Sequence, residues 1–349
     1  MADNPDISIV IPTYNRKALI QKCLESLSVQ SYPKSGYEII VVDDGSTDGT
    51  PDLLESFKSR YANISWFRQE NKGMYPAWNS GSEKARGRIL VFIDSDCVVE
   101  KSFVESIASC FSRHPDIAVH VGCEIPVFQD GILSVLNKYL RAYPEQPDEN
   151  NVIASGNIYT QIMSSNRCAM LKTVFFDAGG FDKKYEKRFI SGGDTELGLA
   201  ILRAGFKIRQ TKEFTVYHYQ RQSLLKIIER YYNFGFDEPR IFKNFFKDRI
   251  FIRLPFARVV QFSGSPFPLF INIGTVFEIL AAIIIISVVC PSIGMGLLIL
   301  YLTTGIIGKR VRPFHIPAFL LYKILSFATR GASFAGNVVG SIRYGIIYL

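Results

Sequence analysis

Two aspartates two positions apart, Asp94 and Asp96, are the residues of this sequence best placed to do chemistry. They lie in the stretch RILVFIDSDCVVE, residues 88–100. Ile89 to Ile93 form an apolar run without helical spacing, which reads as a strand buried on both faces and ending on the acids. If the chain stays extended through Ser95, both carboxylates point to one side at the carboxyl end of that strand, where open α/β sheets bind ligands. Like charges held that close repel, and a divalent cation keeps both ionised. The alternative reading at this point is a polar strand end with a helix cap, because a helical pattern follows Glu100.

The elements that must position these acids repeat along the chain. Ile7 to Ile11 reads as a strand, Pro12-Thr13-Tyr14-Asn15 as its terminating loop, and Lys17 to Gln30 as an amphipathic helix. Glu38 to Val42 is a second buried strand. It also ends in acids and a turn, DDGSTDGT at 43–50, before a helix from about Pro51 to Arg60. Ile64 to Phe67 is a strand, Asn71-Lys72-Gly73 a turn, Pro76 to Lys84 a short helix, and Ile117 to Val127 a further strand. A helix is expected over Leu133 to Leu140 and a loop rich in Pro, Asn and Glu over Ala142 to Asn157. Such alternation predicts a mixed, mostly parallel sheet flanked by helices. Neither GxGxxG after the first strand nor GxxxxGK[ST] occurs, so the common dinucleotide and P-loop signatures are excluded.

Six stretches lie in register at predicted element ends: Ser8 to Asn15, Val41 to Thr50, Asn71-Lys72-Gly73, Asp94-Ser95-Asp96, Gly179-Gly180-Phe181-Asp182, and Gly193-Asp194-Thr195-Glu196-Leu197. Together they closely resemble the inverting family 2 glycosyltransferases, over about the first 220 residues. The resemblance implies a GT-A fold, a catalytic domain over 1–220, and roles for particular residues. Pro12, Thr13, Asn15 and Asn71 would line the nucleotide pocket, Asp44 would hydrogen-bond the base, and Asp94 would lie against the ribose. Asp96 would hold Mg²⁺ or Mn²⁺ on the diphosphate with His218 nearby, and Asp194 would be the catalytic base. Gly193 stands where the family commonly has an acid, and Trp78 precedes Asn79 where many members carry an arginine. The QxxRW motif of processive members is absent, so repeated chain extension is not expected.

The chemistry suits such roles. A diphosphate leaves as a polyanion, and a metal neutralises the charge that develops on it. An acceptor hydroxyl must lose its proton as it attacks, and a carboxylate within reach takes it. A single displacement inverts the anomeric centre.

The chain is 48% hydrophobic with a net charge of +8, and its apolar residues concentrate in the last ~90 positions. Residues 221–265 are expected to form a basic, aromatic interfacial segment, with Leu224, Ile227, Ile228, Tyr231 and Tyr232 at helical spacing. A transmembrane hairpin is expected over 266–310, with Leu269 to Cys290 long enough to cross and Ser292 to Gly308 at the lower limit. An apolar interfacial tail is expected over 311–349. Arg253 and Arg258 before the pair, and Lys309, Arg310 and Arg312 after it, put both flanks on the cytoplasmic side. No signal-peptide pattern precedes the first strand, so the expectation is a cell (inner) membrane protein with a cytoplasmic catalytic domain. The six cysteines contain no CxxC pair and read as small core residues, so neither zinc nor a disulfide framework is indicated.

The leading functional expectation is a membrane-anchored, inverting, non-processive sugar transferase. It would take a nucleotide-sugar donor, a UDP-sugar first, and act on a hydroxyl of a lipid-linked or glycan acceptor. The basic charge is assigned to the membrane rather than to nucleic acid. Two alternatives stand beside it: a polyprenyl-phosphate sugar synthase, and a non-catalytic membrane-tethered nucleotide-binding scaffold.

Overall fold

The computed structural model describes residues 5–127, 151–154, 163–182, 192–219, 223–246, 249–253, 259–263, 269–272 and 316–348. The expected helix at Leu133 to Leu140, most of the loop that follows it, and the expected hairpin beyond Asn272 lie outside these. The chain divides into two units, Met1–Val127 with Glu145–Tyr219, and Phe128–Pro144 with Gln220–Leu349.

In the first unit, β1 (Ile7–Thr13), β2 (Tyr37–Asp43) and β4 (Ile89–Phe92) are fully buried, as their unbroken apolar runs require. Helices α1 (Lys17–Ser28) and α2 (Thr50–Arg60) follow the first two strands, and α3 (Met74–Lys84) follows β3 (Ile64–Arg68). β5 (Cys97–Val99), α4 (Phe103–Arg113), β6 (Val119–Val127) and the short β7 (Val152–Ile153) come next. β8 (Cys168–Leu171), α5 (Lys172–Asp177), α6 (Gly193–Arg203) and β9 (Ile208–Tyr219) complete the unit. Among the described residues the sheet runs β3-β2-β1-β4-β8-β6-β9-β5, with β7 on β9.

The sheet is mixed, and its parallel part is smaller than the sequence suggests. β3, β2, β1 and β4 are parallel, but β8 enters antiparallel between β4 and β6, and β5 runs antiparallel to β9. β8 arrives from a distant part of the chain, so no local crossover dictates its direction. The backbone does not stay extended through Ser95. β4 ends at Phe92, the Cys97 amide donates to the Asp94 carbonyl at 3.0 Å, and the acids sit on a turn between β4 and β5. The core below is aliphatic: Ile9, Ile11, Ile39, Val41, Ile89 and Val91 pack with Leu24, Leu27 and Ile107 of the helices.

In the second unit, α7 (Leu224–Phe245) and α8 (Ile316–Tyr344) are packed together. Gly235 and Gly336 let the two backbones touch; a Cβ at either would strike Ser333 or Tyr232 main chain. The unit's sheet runs β11 (Val259–Ser263), β10 (Arg249–Arg253), β12 (Leu269–Asn272), β13 (Ile347–Tyr348). Two expectations are corrected here. Arg249–Arg253 and Val259–Ser263, within the expected interfacial segment, are strands rather than helix. Leu269 to Asn272 is strand rather than the first turn of a membrane span, its backbone paired with β10 and β13. No helix among the described residues is long and apolar enough to cross a membrane.

His120 lies fully buried in β6 against the Phe111 ring, centroids 4.7 Å apart, with neither ring nitrogen hydrogen-bonded among the described residues. Burial, and after it the Arg209 charge, pull it down to about 4. A depressed histidine is neutral in the fold, so its stabilisation is full above the unfolded value near 6.5 and is lost as pH falls towards 4. Asp94, held above its ordinary value, works the opposite way in the same window, since the folded state then takes up its proton more readily. The clean observable is therefore the unfolding free energy of the native chain minus that of His120→Phe. That difference is expected to drop by on the order of 3 kcal/mol between pH 7.5 and 4 in denaturant titrations, and a flat difference contradicts the assignment.

Candidate active site

Three strand ends of the first unit build the site. At the first, Pro12 and Thr13 are buried and Asn15 takes a positive φ of 50°, which lets its side chain reach the neighbouring loop. Asn15 Oδ1 accepts the Thr47 amide at 2.7 Å, and its own amide donates to Ser46 Oγ at 2.9 Å. Asp48 accepts the Lys17 amide at 2.9 Å, a third hydrogen bond between the stretches after β1 and β2.

At the second strand end, Asp44 is only 4% exposed, and its carboxylate accepts from the backbone. Oδ1 takes Gln69 Nε2 at 2.7 Å and the Lys72 amide at 2.9 Å; Oδ2 takes the Gly73 amide at 2.8 Å. The structure thus gives Asp44 a loop-holding role that its type and position did not reveal. Asn71 is exposed on that loop and, with Gly45, Arg68, Gln69 and Glu70, lines an open groove beside it.

The third strand end carries the acid pair. Asp96 is 6% exposed. Arg16 Nη1 pairs with its Oδ2, and His218 Nε2 stands 3.2 Å from its Oδ1. The antiparallel register of β5 and β9 sets Cys97 opposite His218 and so delivers the imidazole. His218 Nδ1 lies 3.0 Å from Glu124 Oε1, and Glu124 Oε2 accepts from Asn166 at 3.1 Å and Arg167 at 3.0 Å. The result is a line of alternating charge: Arg16, Asp96, His218, Glu124, Arg167.

The ionisation follows from that order. Burial pulls His218 down, but hydrogen bonding and charge from Asp96 and Glu124 outweigh it and push it up to about 9. Burial pushes Asp96 up, but His218 and Arg16 hold it well below the usual carboxylate range. Asp94, half-buried, is held above that range by lost solvation and by the charge of Asp96.

These residues suit a divalent cation. Asp96 Oδ1 is buried, with His218 Nε2 3.2 Å away. Asp96, Cys97 and His218 each bring a possible ligand atom, all within 4.8 Å of one another. Burial and the flanking acids drive the Cys97 thiol far up, so it stays protonated and is a poor ligand. The Asp96 carboxylate oxygen and, once Nε2 gives up its proton, the His218 imidazole would suit Mg²⁺ or Mn²⁺, with Glu124 orienting the ring.

Asp194 lies in the first turn of α6, half-buried, with Oδ1 accepting the Thr195 amide at 2.9 Å. The helix begins at Gly193, after Gly192 in the left-handed region, so Asp194 is inside the helix rather than its cap. α3 fastens this region. Asn79 Oδ1 accepts the Phe181 amide at 3.0 Å and its Nδ2 donates to the Phe181 carbonyl at 2.7 Å, while Tyr75 Oη accepts the Gly193 amide at 2.9 Å. Burial raises the Tyr75 hydroxyl well above its ordinary value, and the charges of Asp194 and Asp94 add to this. The Tyr75 hydroxyl thus ties α3 to the first residue of α6, next to Asp194. Trp78 is fully buried, stacked on Phe181 at 5.3 Å, and is core rather than a phosphate contact.

Sequence reading missed Arg16, Tyr75, Glu124, Asn166 and Arg167. Arg16 had a signal, as a cation directly after the first strand-end loop. Glu124 and Tyr75 had none, because each reads as an ordinary element residue.

Residues 8–175 match the family described as Glycosyl transferase family 2. Glycosyltransferase AglE of Haloferax volcanii is 42% identical over 109 residues, which is 31% of this chain and 36% of that protein. A Methanococcus voltae protein is 27% identical over 66% of this chain and 71% of its own length. It is named dolichyl N-acetyl-alpha-D-glucosaminyl phosphate 3-beta-D-2,3-diacetamido-2,3-dideoxy-beta-D-glucuronosyltransferase. Among solved structures, the Pyrobaculum calidifontis mannosyltransferase in complex with GDP-Man and Mn²⁺ superposes with a TM-score of 0.59 at 17% identity, covering 97% of this chain and 87% of that one. Residues 1–349 of S. aureus TarS with UDP-GlcNAc give 0.52 at 17% identity, covering 99% and 93%. At these identities the likeness establishes the fold, a GT-A-like α/β sheet flanked by helices.

Mn²⁺ titration followed by electron paramagnetic resonance tests the acid and histidine pair without any turnover. Asp96→Ala and His218→Ala are expected to weaken binding 100-fold or more, and Glu124→Gln on the order of tenfold. Unchanged affinity in Asp96→Ala would remove the cation from this place.

Proposed function

We propose a specific reaction for this chain, which carries a family 2 glycosyl transferase domain. It is a membrane-associated, inverting glycosyltransferase that moves one sugar from a nucleotide-sugar to a hydroxyl of a lipid-linked or membrane-proximal acceptor. The observation that carries the reading is the 2.9 Å hydrogen bond from the Gly193 amide to Tyr75 Oη, which ties the start of Asp194's helix to the loop that Asp44 holds.

Pro12, Thr13, Asn15 and Asn71 form the nucleotide side, on loops held by Asp44 and by the Asn15 bonds to 46 and 47. Asp94 is the donor-side acid that meets the ribose. When bound by Asp96 and His218, Mg²⁺ or Mn²⁺ supplies Lewis-acid neutralisation of the leaving diphosphate. Arg16, 30% exposed, is a guanidinium free to turn from Asp96 to a phosphate oxygen. Asp194 accepts the proton of the attacking hydroxyl as the bond to the anomeric carbon forms, and the diphosphate departs from the opposite face.

A lipid-linked acceptor agrees with the name of the Methanococcus relative, and a nucleotide-sugar donor with the ligands of the structural neighbours. Exposed Leu225 and Ile342, beside Lys226 and Arg343, suit a membrane surface, with the catalytic domain on the cytoplasmic side. Flotation of the chain with anionic vesicles checks this, and recovery away from the vesicles counts against it.

Asp194→Asn keeps size and shape but cannot take a proton. Its kcat is expected to fall on the order of 100-fold or more, while calorimetric titration shows nucleotide affinity retained. Normal turnover instead favours a phosphate acceptor, which needs no base, as in a polyprenyl-phosphate sugar synthase. Lost nucleotide affinity in a folded variant would assign Asp194 to the donor side.

A further inference from the structure

Tyr75 sits at the point where the donor loop becomes α3. Two residues before it, the Gly73 amide is held by Asp44; its own hydroxyl oxygen holds the Gly193 amide at 2.9 Å, one residue before Asp194. The ring is 4% exposed and stacks on Phe181 with centroids 5.0 Å apart, beside Trp78 at 6.0 Å. Gly193 is not in the left-handed region, so glycine is needed there for space and not for conformation. A Cβ would meet Tyr75 Cζ at 2.6 Å. The phenol therefore occupies the volume that any side chain at position 193 would need.

We propose that Tyr75 is the positioning residue for Asp194, its hydroxyl fixing the first peptide of α6 so that the carboxylate faces the acceptor hydroxyl. The inference rests on the reading of Asp194 as the base. It accounts for why position 193 carries no side chain: the contact that orients the base comes from α3 across the sheet end, not from a neighbouring acid. A free helix start swings with its loop, and an error of about 1 Å at the base is enough to cost on the order of 100-fold in rate. Holding the peptide by a buried, stacked ring removes that freedom, because the phenol has little room to move.

Tyr75→Phe removes the hydroxyl and keeps the stack, and a double-mutant cycle with Asp194→Asn separates positioning from mere support. In the native background Tyr75→Phe is expected to lower kcat about tenfold with the donor KM within twofold; in the Asp194→Asn background it is expected to change the residual kcat less than twofold. Gly193→Ala, which crowds the ring instead of trimming it, is expected to show the same dependence on Asp194 and serves if Tyr75→Phe fails to fold. Equal losses in both backgrounds, or no loss in either, overturn the proposal while leaving the base assignment standing. A native kcat in Asp194→Asn alone overturns the base assignment, and this inference with it.

Discussion

A carboxylate buried beside a second carboxylate has to be met by positive charge, and this constraint at Asp96 shapes the rest of the site. Arg16 meets it from the loop after β1 and His218 from β9. Charging a buried imidazole is itself unfavourable, so Glu124 stands on its far side, and Arg167 and Asn166 in turn satisfy Glu124. Each group is tolerable only because the next is present. A divalent cation placed on Asp96 and His218 would substitute for a positive charge the protein already supplies, and Asp96 is kept ionised by the fold itself.

Rigid elements carry this arrangement, and loops at their ends carry its charged side chains. β1, β2 and β4 are wholly buried and supply three strand ends, those of β1 and β2 level at Thr13 and Asp43. The Asp44 carboxylate then converts the loop before α3 into a fixed surface by taking two of its amides. α3 continues the same constraint to the region around Asp194, through Tyr75 to Gly193 and Asn79 to Phe181. One short helix thus links the loop held by Asp44 to the start of α6.

Much of this was legible in the sequence. Uninterrupted apolar runs marked the buried strands because burial on both faces leaves no polar alternation, and acids in turns marked the strand ends. Asp44, Asp94, Asp96, Asp194 and His218 were all recognisable as chemistry-bearing types at element ends. The composition of the last third signalled a second region, but not its form: Leu269 to Asn272 pairs as strand although its apolarity reads as the start of a span. A short apolar run has no period by which to tell strand from helix, and cross-strand partners decide.

The sequence by itself determined the local identities: which segments are buried, where strands stop, and which side chains can accept a proton or a cation. Tertiary structure alone decided which of them meet. Glu124 reaches His218 across 94 positions and Tyr75 reaches Gly193 across 118, with nothing in either local pattern to announce the pairing. The direction of β8, the turn at Ser95 and the register of Cys97 against His218 belong to the same class. Periodicity reports what a residue's immediate backbone and burial require, whereas a hydrogen bond between distant elements depends on the packing of everything between them.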